Sequence, residues 1–212
     1  MYLSGLCFIT DCKASKLSYE DMTLRVLRSG VRWVQYREKG KSRQEVYEEA
    51  DRLRKLTQDF NAVLIVNDYA DIAMCVNAVG VHLGQEDLPL REARKIMGKN
   101  RIVGISTHSL EQAIEAEKGG ADYIGFGPVF HTTTKDAGSP KGVSMLREVK
   151  KQVTIPLVAI GGINLENIQL VLDAGADAVA VASAILSGEI EENVKKFMEI
   201  IRILDVHYPQ NR

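Results

Sequence analysis

The chain has 212 residues, of which 45% are hydrophobic and 26% are charged, and its formal net charge is −1. This composition allows a large buried core, and the near-zero charge excludes a global field that would attract nucleic acid or an anionic membrane. No segment approaches the ~20 consecutive apolar residues of a membrane-spanning helix, and the short apolar start lacks the basic leader of a signal peptide.

Short runs rich in β-branched residues alternate with longer helical patterns along the whole chain. The predicted strands are residues 6–10, 31–36, 63–67, 80–83, 102–105, 123–127, 157–160 and 178–181. The predicted helices are residues 19–28, 42–57, 71–76, 90–97, 110–118, 143–150, 165–172 and 190–204. Most strands are continuously apolar, as expected of parallel strands that are covered on both faces.

Eight strands in strict alternation with eight helices predict an α/β fold of the (β/α)8 TIM-barrel class. No linker interrupts the pattern, so we expect one domain over residues 1–212, with a flexible tail from about residue 205. A doubly wound open sheet is the alternative, but it would normally show a glycine-rich turn after the first strand, and none follows residues 6–10.

The three cysteines are odd in number and have no metal-ligand spacing. We interpret Cys7 and Cys75 as small buried hydrophobic residues and expect a reducing, cytoplasmic compartment. A homo-oligomer is also compatible with the sequence, because apolar residues such as Leu17, Met22 and Trp33 could serve either a subunit contact or the helix layer.

Polar and glycine residues follow seven of the eight predicted strands, which is where this barrel class places its chemistry. After the seventh strand, Gly161 and Gly162 would let backbone N–H groups approach a phosphate closely. Together with Ala182 and Ser183 at the start of the last helix, they predict an anion cradle. Two tight turns without a ligand are the alternative.

Charged side chains of both signs are predicted at the same end of the barrel. Asp68 and Asp87 follow neighbouring strands, and either they share a Mg²⁺ ion or they are a helix cap and a solvated turn residue. Arg37, Lys39 and Lys135 would add positive charge suited to phosphate oxygens. Among the histidines, His82 is predicted to be a hydrogen-bonded core residue, whereas the roles of His108 and His131 are not readable.

The residues at these strand ends resemble the thiamine-phosphate synthase family. The resembling segments are, in chain order, residues 34–39, 66–68, 80–87, 104–108, 125–130 with 132–135, 159–163 and 181–185. Seven such segments in the right order are far more specific than any one of them. Two departures are His131, where the family usually has proline, and Tyr36, where a smaller or aliphatic residue is common.

The resemblance implies an enzyme that joins 4-amino-2-methyl-5-(diphosphooxymethyl)pyrimidine to 4-methyl-5-(2-phosphoethyl)thiazole, giving thiamine phosphate and diphosphate. It implies that Asp68 and Asp87 hold Mg²⁺. The residues implied to bind the diphosphate are Arg37, Lys39, Asn67 and Lys135, and the three cations among them would act as catalytic residues. Gln35 and Ser106 would lie near the pyrimidine. The residues implied to hold the thiazole phosphate are Thr132, Thr134, Gly162, Ala182 and Ser183.

Two rival functions remain at this point. A thiazole tautomerase on a related barrel would bind one phosphate but would have no use for the diphosphate and Mg²⁺ residues. A catalytically silent phosphate-binding barrel is the second rival, because a fold alone does not establish an activity.

Overall fold

The computed structural model describes residues 4–132 and 138–207. Its eight strands are β1 (Gly5–Ile9), β2 (Trp33–Tyr36), β3 (Val63–Asn67), β4 (Gly80–Leu83), β5 (Ile102–Thr107), β6 (Tyr123–Phe126), β7 (Leu157–Ile160) and β8 (Ala178–Val181). Each strand pairs in parallel with the next, and β8 pairs with β1, so the sheet closes into a barrel. The predicted (β/α)8 fold is confirmed.

Helices alternate with the strands and cover the outside of the barrel. They are α1 (Tyr19–Arg28), α2 (Arg43–Asp59), α3 (Ala70–Cys75), α4 (Leu90–Met97), α5 (Leu110–Lys118), α6 (Gly142–Gln152), α7 (Ile168–Asp173), α8 (Ser183–Leu186) and α9 (Ile190–His207). Among the described residues no helix combines the length and the hydrophobicity needed to span a bilayer.

The end of the chain differs from the sequence-based prediction in two ways. The structure forms a separate short helix, α8, before α9, whereas the sequence suggested a single last helix. Helix α9 also runs past Leu204 to His207, and residues 208–212 of the predicted tail lie outside the described residues. A short extra helix after the last strand is a common phosphate-binding element in this barrel class.

Two apolar clusters stabilise the fold, because successive side chains of a strand point to opposite faces. The larger cluster fills the space between the barrel and its helices and includes Met22 of α1. The smaller cluster fills the barrel interior and includes Cys7, Trp33 and Tyr123. Met22 and Trp33 are therefore buried within the chain and are not available for a subunit contact.

One prediction about the cysteines was wrong. Cys7 is buried in the barrel interior as expected, but Cys75 is exposed, as is Cys12. Cys75 is the last residue of α3, and this short helix buries only its other face, through Ala70, Ile72 and Ala73. All three thiols are free.

Candidate active site

A cavity of about 110 Å³, partly open to solvent, lies at the carboxyl ends of the strands. We call it the mouth cavity. It contains six of the predicted substrate-binding residues, namely Arg37, Ser106, Thr132, Gly162, Ala182 and Ser183. Its other polar lining residues are Thr10, Asp11 and His108, and Ile9, Pro128, Ile160 and Val181 are among its apolar ones. Residues from the ends of six strands, β1, β2, β5, β6, β7 and β8, thus converge on one opening.

Glycine is required on the β7 side of the mouth cavity. Gly161 and Gly162 have φ angles of 96° and 65°, which L side chains rarely adopt. A Cβ atom on Gly162 would lie 2.3 Å from the carbonyl oxygen of His131. The Asn167 side chain donates a hydrogen bond of 2.9 Å to the carbonyl oxygen of Gly162 and holds this turn in place.

The long loop between β6 and α6 is anchored at both ends beside this turn. Backbone hydrogen bonds of 2.9 Å and 3.0 Å tie Val129 and Phe130 to the carbonyl oxygens of Ile160 and Gly161. At the other end, the N–H of Lys141 donates to the carbonyl oxygen of Pro128 at 2.8 Å. Two predicted site residues in this loop, Thr134 and Lys135, lie outside the described residues.

Arg37 brings a positive charge to the mouth cavity. Its backbone N–H donates to the hydroxyl of Thr10, which is fully buried, at 3.0 Å. Within residues 4–132 and 138–207, the guanidinium has no hydrogen-bond or ion-pair partner, although the residue is half-buried. A half-buried guanidinium in this state is suited to bind a phosphate or diphosphate oxygen.

Glu38 was not singled out in the sequence, but it supports the two cations beside it. Its carboxylate is buried and accepts hydrogen bonds from the Tyr19 hydroxyl at 2.6 Å and from the N–H of Gly40. Burial raises the pKa of Glu38, but these hydrogen bonds outweigh it, so the pKa lies below its usual range. The ionised Glu38 therefore fixes the turn between Arg37 and Lys39.

Asp68 and Asp87 lie together, as predicted for neighbouring strand ends. We call them the aspartate pair. The carboxyl group of Asp87 lies within hydrogen-bonding reach of Asp68, and one of its oxygens accepts the N–H of Gly84 at 2.6 Å. Asp68 has a φ angle of 67°, a conformation that aspartate and asparagine tolerate better than most residues.

Two further side chains contact Asp68. The ammonium of Lys39 lies 2.8 Å from one carboxylate oxygen, and the Asn67 amide donates to the other at 2.5 Å. Gln35 in turn donates to the Asn67 side-chain oxygen at 2.9 Å. Burial raises the pKa of Asp68 above its usual range, with Lys39 opposing the shift and Asp87 adding to it.

The aspartate pair supplies the kind of ligand that a small divalent cation prefers. Two carboxylates that face each other repel unless a proton or a cation lies between them. Within the described part of the chain, no cluster of three or more His, Cys, Asp or Glu side chains could hold a metal ion. A two-carboxylate site fits Mg²⁺, which usually keeps several water molecules and takes the remaining oxygens from a substrate phosphate.

Ser106 closes a chain of three side chains that starts inside the barrel. The buried His82 bonds Ser106 through Nε2, with 2.8 Å to Oγ, and Tyr123 through Nδ1, with 2.9 Å to the hydroxyl oxygen. We call Tyr123, His82 and Ser106 the hydroxyl relay. His82 is a hydrogen-bonded core residue, as predicted, but it also connects the core to the mouth cavity.

The remaining histidines have different surroundings. His108 lines the mouth cavity, and its Nδ1 lies 2.6 Å from the carbonyl oxygen of Gly127. His131 is exposed. The predicted residues thus form two adjacent groups: those that line the mouth cavity, and a charged group of Gln35, Lys39, Asn67, Asp68 and Asp87.

Comparison with known proteins points to one family. The sequence family described as thiamine monophosphate synthase matches residues 6–185. A thiamine-phosphate synthase of Shouchella clausii is 51% identical over 76% of this chain and 78% of its own length. One from Methanosarcina mazei is 43% identical over 92% of this chain and 81% of its own length. Among solved structures, a thiamine phosphate pyrophosphorylase from Pyrococcus furiosus is 38% identical, with a TM-score of 0.87, over 94% of this chain and 96% of that one.

Proposed function

We propose that this chain, which belongs to the thiamine monophosphate synthase family, carries out the synthase reaction with the residues at its barrel mouth. The chain is a transferase that joins an aminopyrimidine diphosphate to a thiazole phosphate and releases diphosphate. The observation that carries the proposed roles is the convergence of charges. Arg37, whose guanidinium has no partner among the described residues, lines the mouth cavity, and Lys39 and the aspartate pair lie at neighbouring strand ends.

Mg²⁺ is the proposed cofactor, held by Asp68 and Asp87 together with oxygens of the substrate. The support is the facing carboxylates and the raised pKa of Asp68, which follows first from burial and then from Asp87. When bound, the ion neutralises charge on the departing diphosphate. Mn²⁺ prefers similar oxygen ligands and is the alternative ion.

The diphosphate is bound by Arg37, Lys39, Asn67 and Lys135. As the bond between the methylene carbon and the diphosphate oxygen breaks, its electron pair passes to that oxygen. The cationic side chains stabilise the charge that develops there, which is the preorganised electrostatic contribution to catalysis. Lys135 lies outside the described residues, so its role rests on the resemblance alone.

The thiazole phosphate occupies the mouth cavity. Gly162, Thr132, Ala182 and Ser183 line that cavity and supply N–H and hydroxyl donors to the phosphate. The same role for Thr134, which lies outside the described residues, rests on the resemblance alone. The aminopyrimidine ring lies near Gln35 and Ser106 and delocalises the positive charge left on its methylene carbon. The thiazole nitrogen then attacks that carbon. Holding the two substrates in line increases the rate of this step, because the reacting atoms are already close and oriented.

An assay of diphosphate release tests the assignment of these roles. We expect release only with both substrates and a divalent cation, and a loss of about 100-fold or more in kcat/KM when Arg37 is changed to alanine. Lys99→Ala, in the turn between α4 and β5, is the matched control. Equal activities of the two variants would overturn the role of Arg37, and release without the thiazole phosphate would indicate a hydrolase.

A compartment and an assembly state can also be proposed. We propose that the chain acts in the reducing cytoplasm, since all three of its cysteines are free thiols. Its partners are small-molecule substrates, and a homo-oligomer would use surfaces other than those of Met22 and Trp33.

A further inference from the structure

Two members of the hydroxyl relay, Tyr123 and His82, have no role in the proposed reaction steps. Tyr123 lies in the barrel interior with 1% of its surface exposed, and His82 is 6% exposed. The two rings stack with centroids 5.4 Å apart and planes inclined by 28°. Only Ser106, at the end of β5, reaches the mouth cavity.

The backbone around the hydroxyl relay is shaped to hold these rings. A Cβ atom on Gly104 would lie 2.1 Å from Cζ of Tyr123, so no other residue fits at that position without displacing the ring. A Cβ atom on Gly125 would lie 3.0 Å from Cε1 of His82. The packing therefore gives Tyr123 and His82 one arrangement, which keeps their polar atoms in register.

The direction of the hydrogen bonds in the hydroxyl relay follows from its most deeply buried group, the Tyr123 hydroxyl. The Tyr123 hydroxyl carries a proton, because its pKa is raised well above the usual value, mainly by burial. Within the described residues its hydrogen-bond partner is Nδ1 of His82. If Nδ1 carried a proton, the Tyr123 O–H would be a buried donor without an acceptor, which is costly. Tyr123 therefore donates to Nδ1, and the imidazole proton is on Nε2.

The imidazole proton of His82 in turn sets the direction of the hydrogen bond to Ser106, which lines the mouth cavity. Nε2–H donates to the oxygen of Ser106, so the hydroxyl proton of Ser106 is directed away from His82. We propose that Tyr123 and His82 are positioning residues that make Ser106 a hydrogen-bond donor toward the substrate. This inference rests on the proposed function, in which Ser106 lies near the pyrimidine. The group facing Ser106 is then an acceptor, an unprotonated ring nitrogen and not the amino group.

The tautomer of His82 can be measured without any activity, which separates this inference from the proposed function. In ¹⁵N-histidine-labelled protein, NMR should show the His82 proton on Nε2. In Tyr123→Phe, which removes only the hydroxyl, part of the population should carry the proton on Nδ1. A proton on Nδ1 in the unmodified protein, or an unchanged tautomer in Tyr123→Phe, would overturn the proposal.

Kinetics provide the second readout. We expect Tyr123→Phe to raise the KM for the pyrimidine diphosphate about tenfold and to leave the KM for the thiazole phosphate within about twofold. Tyr47→Phe, which changes an exposed tyrosine of α2, is the matched control and should change neither. Equal increases in both KM values would contradict a positioning role, because they would indicate a general loss of structure.

Discussion

The ammonium of Lys39 lies 2.8 Å from the carboxylate of Asp68, and Asp68 also faces Asp87. Lys39 is thus shared between two proposed tasks, since it neutralises a metal ligand and is assigned to bind diphosphate. Its side chain is half exposed, whereas that of Asp68 is 11% exposed. The flexible partner can therefore move to a substrate while the aspartate remains in place.

Replacing Lys39 by methionine should change metal binding and activity in opposite directions. The ammonium competes with a cation for Asp68, so its removal should strengthen Mg²⁺ binding to the substrate-free protein a few-fold, about what a partly exposed charge contributes. The same change should lower kcat/KM by about tenfold or more, because a diphosphate contact is lost. Calorimetric titration with Mg²⁺ and the diphosphate-release assay measure the two effects. Weaker Mg²⁺ binding in the variant would show that Lys39 does not compete with the ion.

Asp68→Asn should stabilise the metal-free protein and inactivate the enzyme. A raised pKa means that the folded state binds the proton more tightly than the unfolded state does. The free energy of unfolding therefore decreases as the pH rises from the ordinary aspartate pKa through the raised one. Asparagine tolerates the positive φ of Asp68 and removes this loss, but it should lower activity by about 100-fold or more.

Urea unfolding of both proteins without metal, at a series of pH values from about 3 to 7, isolates the contribution of Asp68. The difference between the two curves should grow with pH in favour of Asp68→Asn. A difference that shrinks with pH would mean that Lys39 lowers the pKa of Asp68 more than burial and Asp87 raise it.

Gly162→Ala should weaken binding of the thiazole phosphate. The new Cβ would collide with the carbonyl oxygen of His131, and the positive φ adds strain, so we expect a destabilisation of about 1–3 kcal/mol. The KM for the thiazole phosphate should increase more than that for the pyrimidine diphosphate.

Gly188→Ala is the matched control for this change. Gly188 also has a positive φ, of 81°, but a Cβ atom there would meet nothing within 4 Å. It should cost only the backbone strain, about 1–2 kcal/mol, and leave both KM values unchanged. If the two variants had the same kinetic parameters, the turn at Gly162 would not be part of the phosphate site.

Glu38→Gln should destabilise the protein at neutral pH by about 1.5–3 kcal/mol, because hydrogen bonds to a charged acceptor are lost and an amide N–H₂ group replaces an acceptor. The lowered pKa of Glu38 means that its contribution is present above the ordinary glutamate pKa and is lost as the pH falls through the lowered value. Chemical unfolding at pH 7 and near pH 3 measures this difference. Glu166→Gln changes an exposed turn residue and should leave the free energy of unfolding unchanged at both pH values. A destabilisation by Glu38→Gln that persists at low pH would mean that the negative charge of Glu38 is not responsible for it.

Several elements of the fold could be predicted with their bounds. The strands β3, β4, β7 and β8 and the helices α1, α4 and α5 begin and end as the sequence indicated. These elements depend on nearby residues: the strands are apolar runs, and in the structure the side chains of Ser18 and Ser109 accept N–H groups in the first turns of α1 and α5. Local signals suffice where an element depends on neighbouring residues.

The later helices show where local signals fail. Helix α7 begins at Ile168 and not at residue 165, because the Asn164 side chain accepts the N–H groups of Glu166 and Asn167 and holds a turn there. Helix α8 is separated from α9 by a turn at Gly188. The sequence does not show whether such an asparagine holds a separate turn or caps a helix, because its side chain can accept backbone N–H groups in either case.

The residues of the candidate site could be proposed from the sequence, but the contacts between them could not. Strand-end polarity identified Arg37, Asp68 and Asp87, and the resemblance added their roles. The contacts of Glu38 with Tyr19 and of His82 with Tyr123 join residues far apart in the sequence. Such contacts depend on the registers of separate strands and helices, which no local pattern specifies.

Because Gly104 fits closely against the Tyr123 ring, these two positions should evolve together. A larger residue at position 104 is tolerable only in a descendant that has already lost the aromatic ring at position 123, and that descendant has also lost control over Ser106. Neither change is accessible by itself without harm. Lineages that keep the tyrosine should therefore keep the glycine, and natural variation at the two sites should be strongly epistatic.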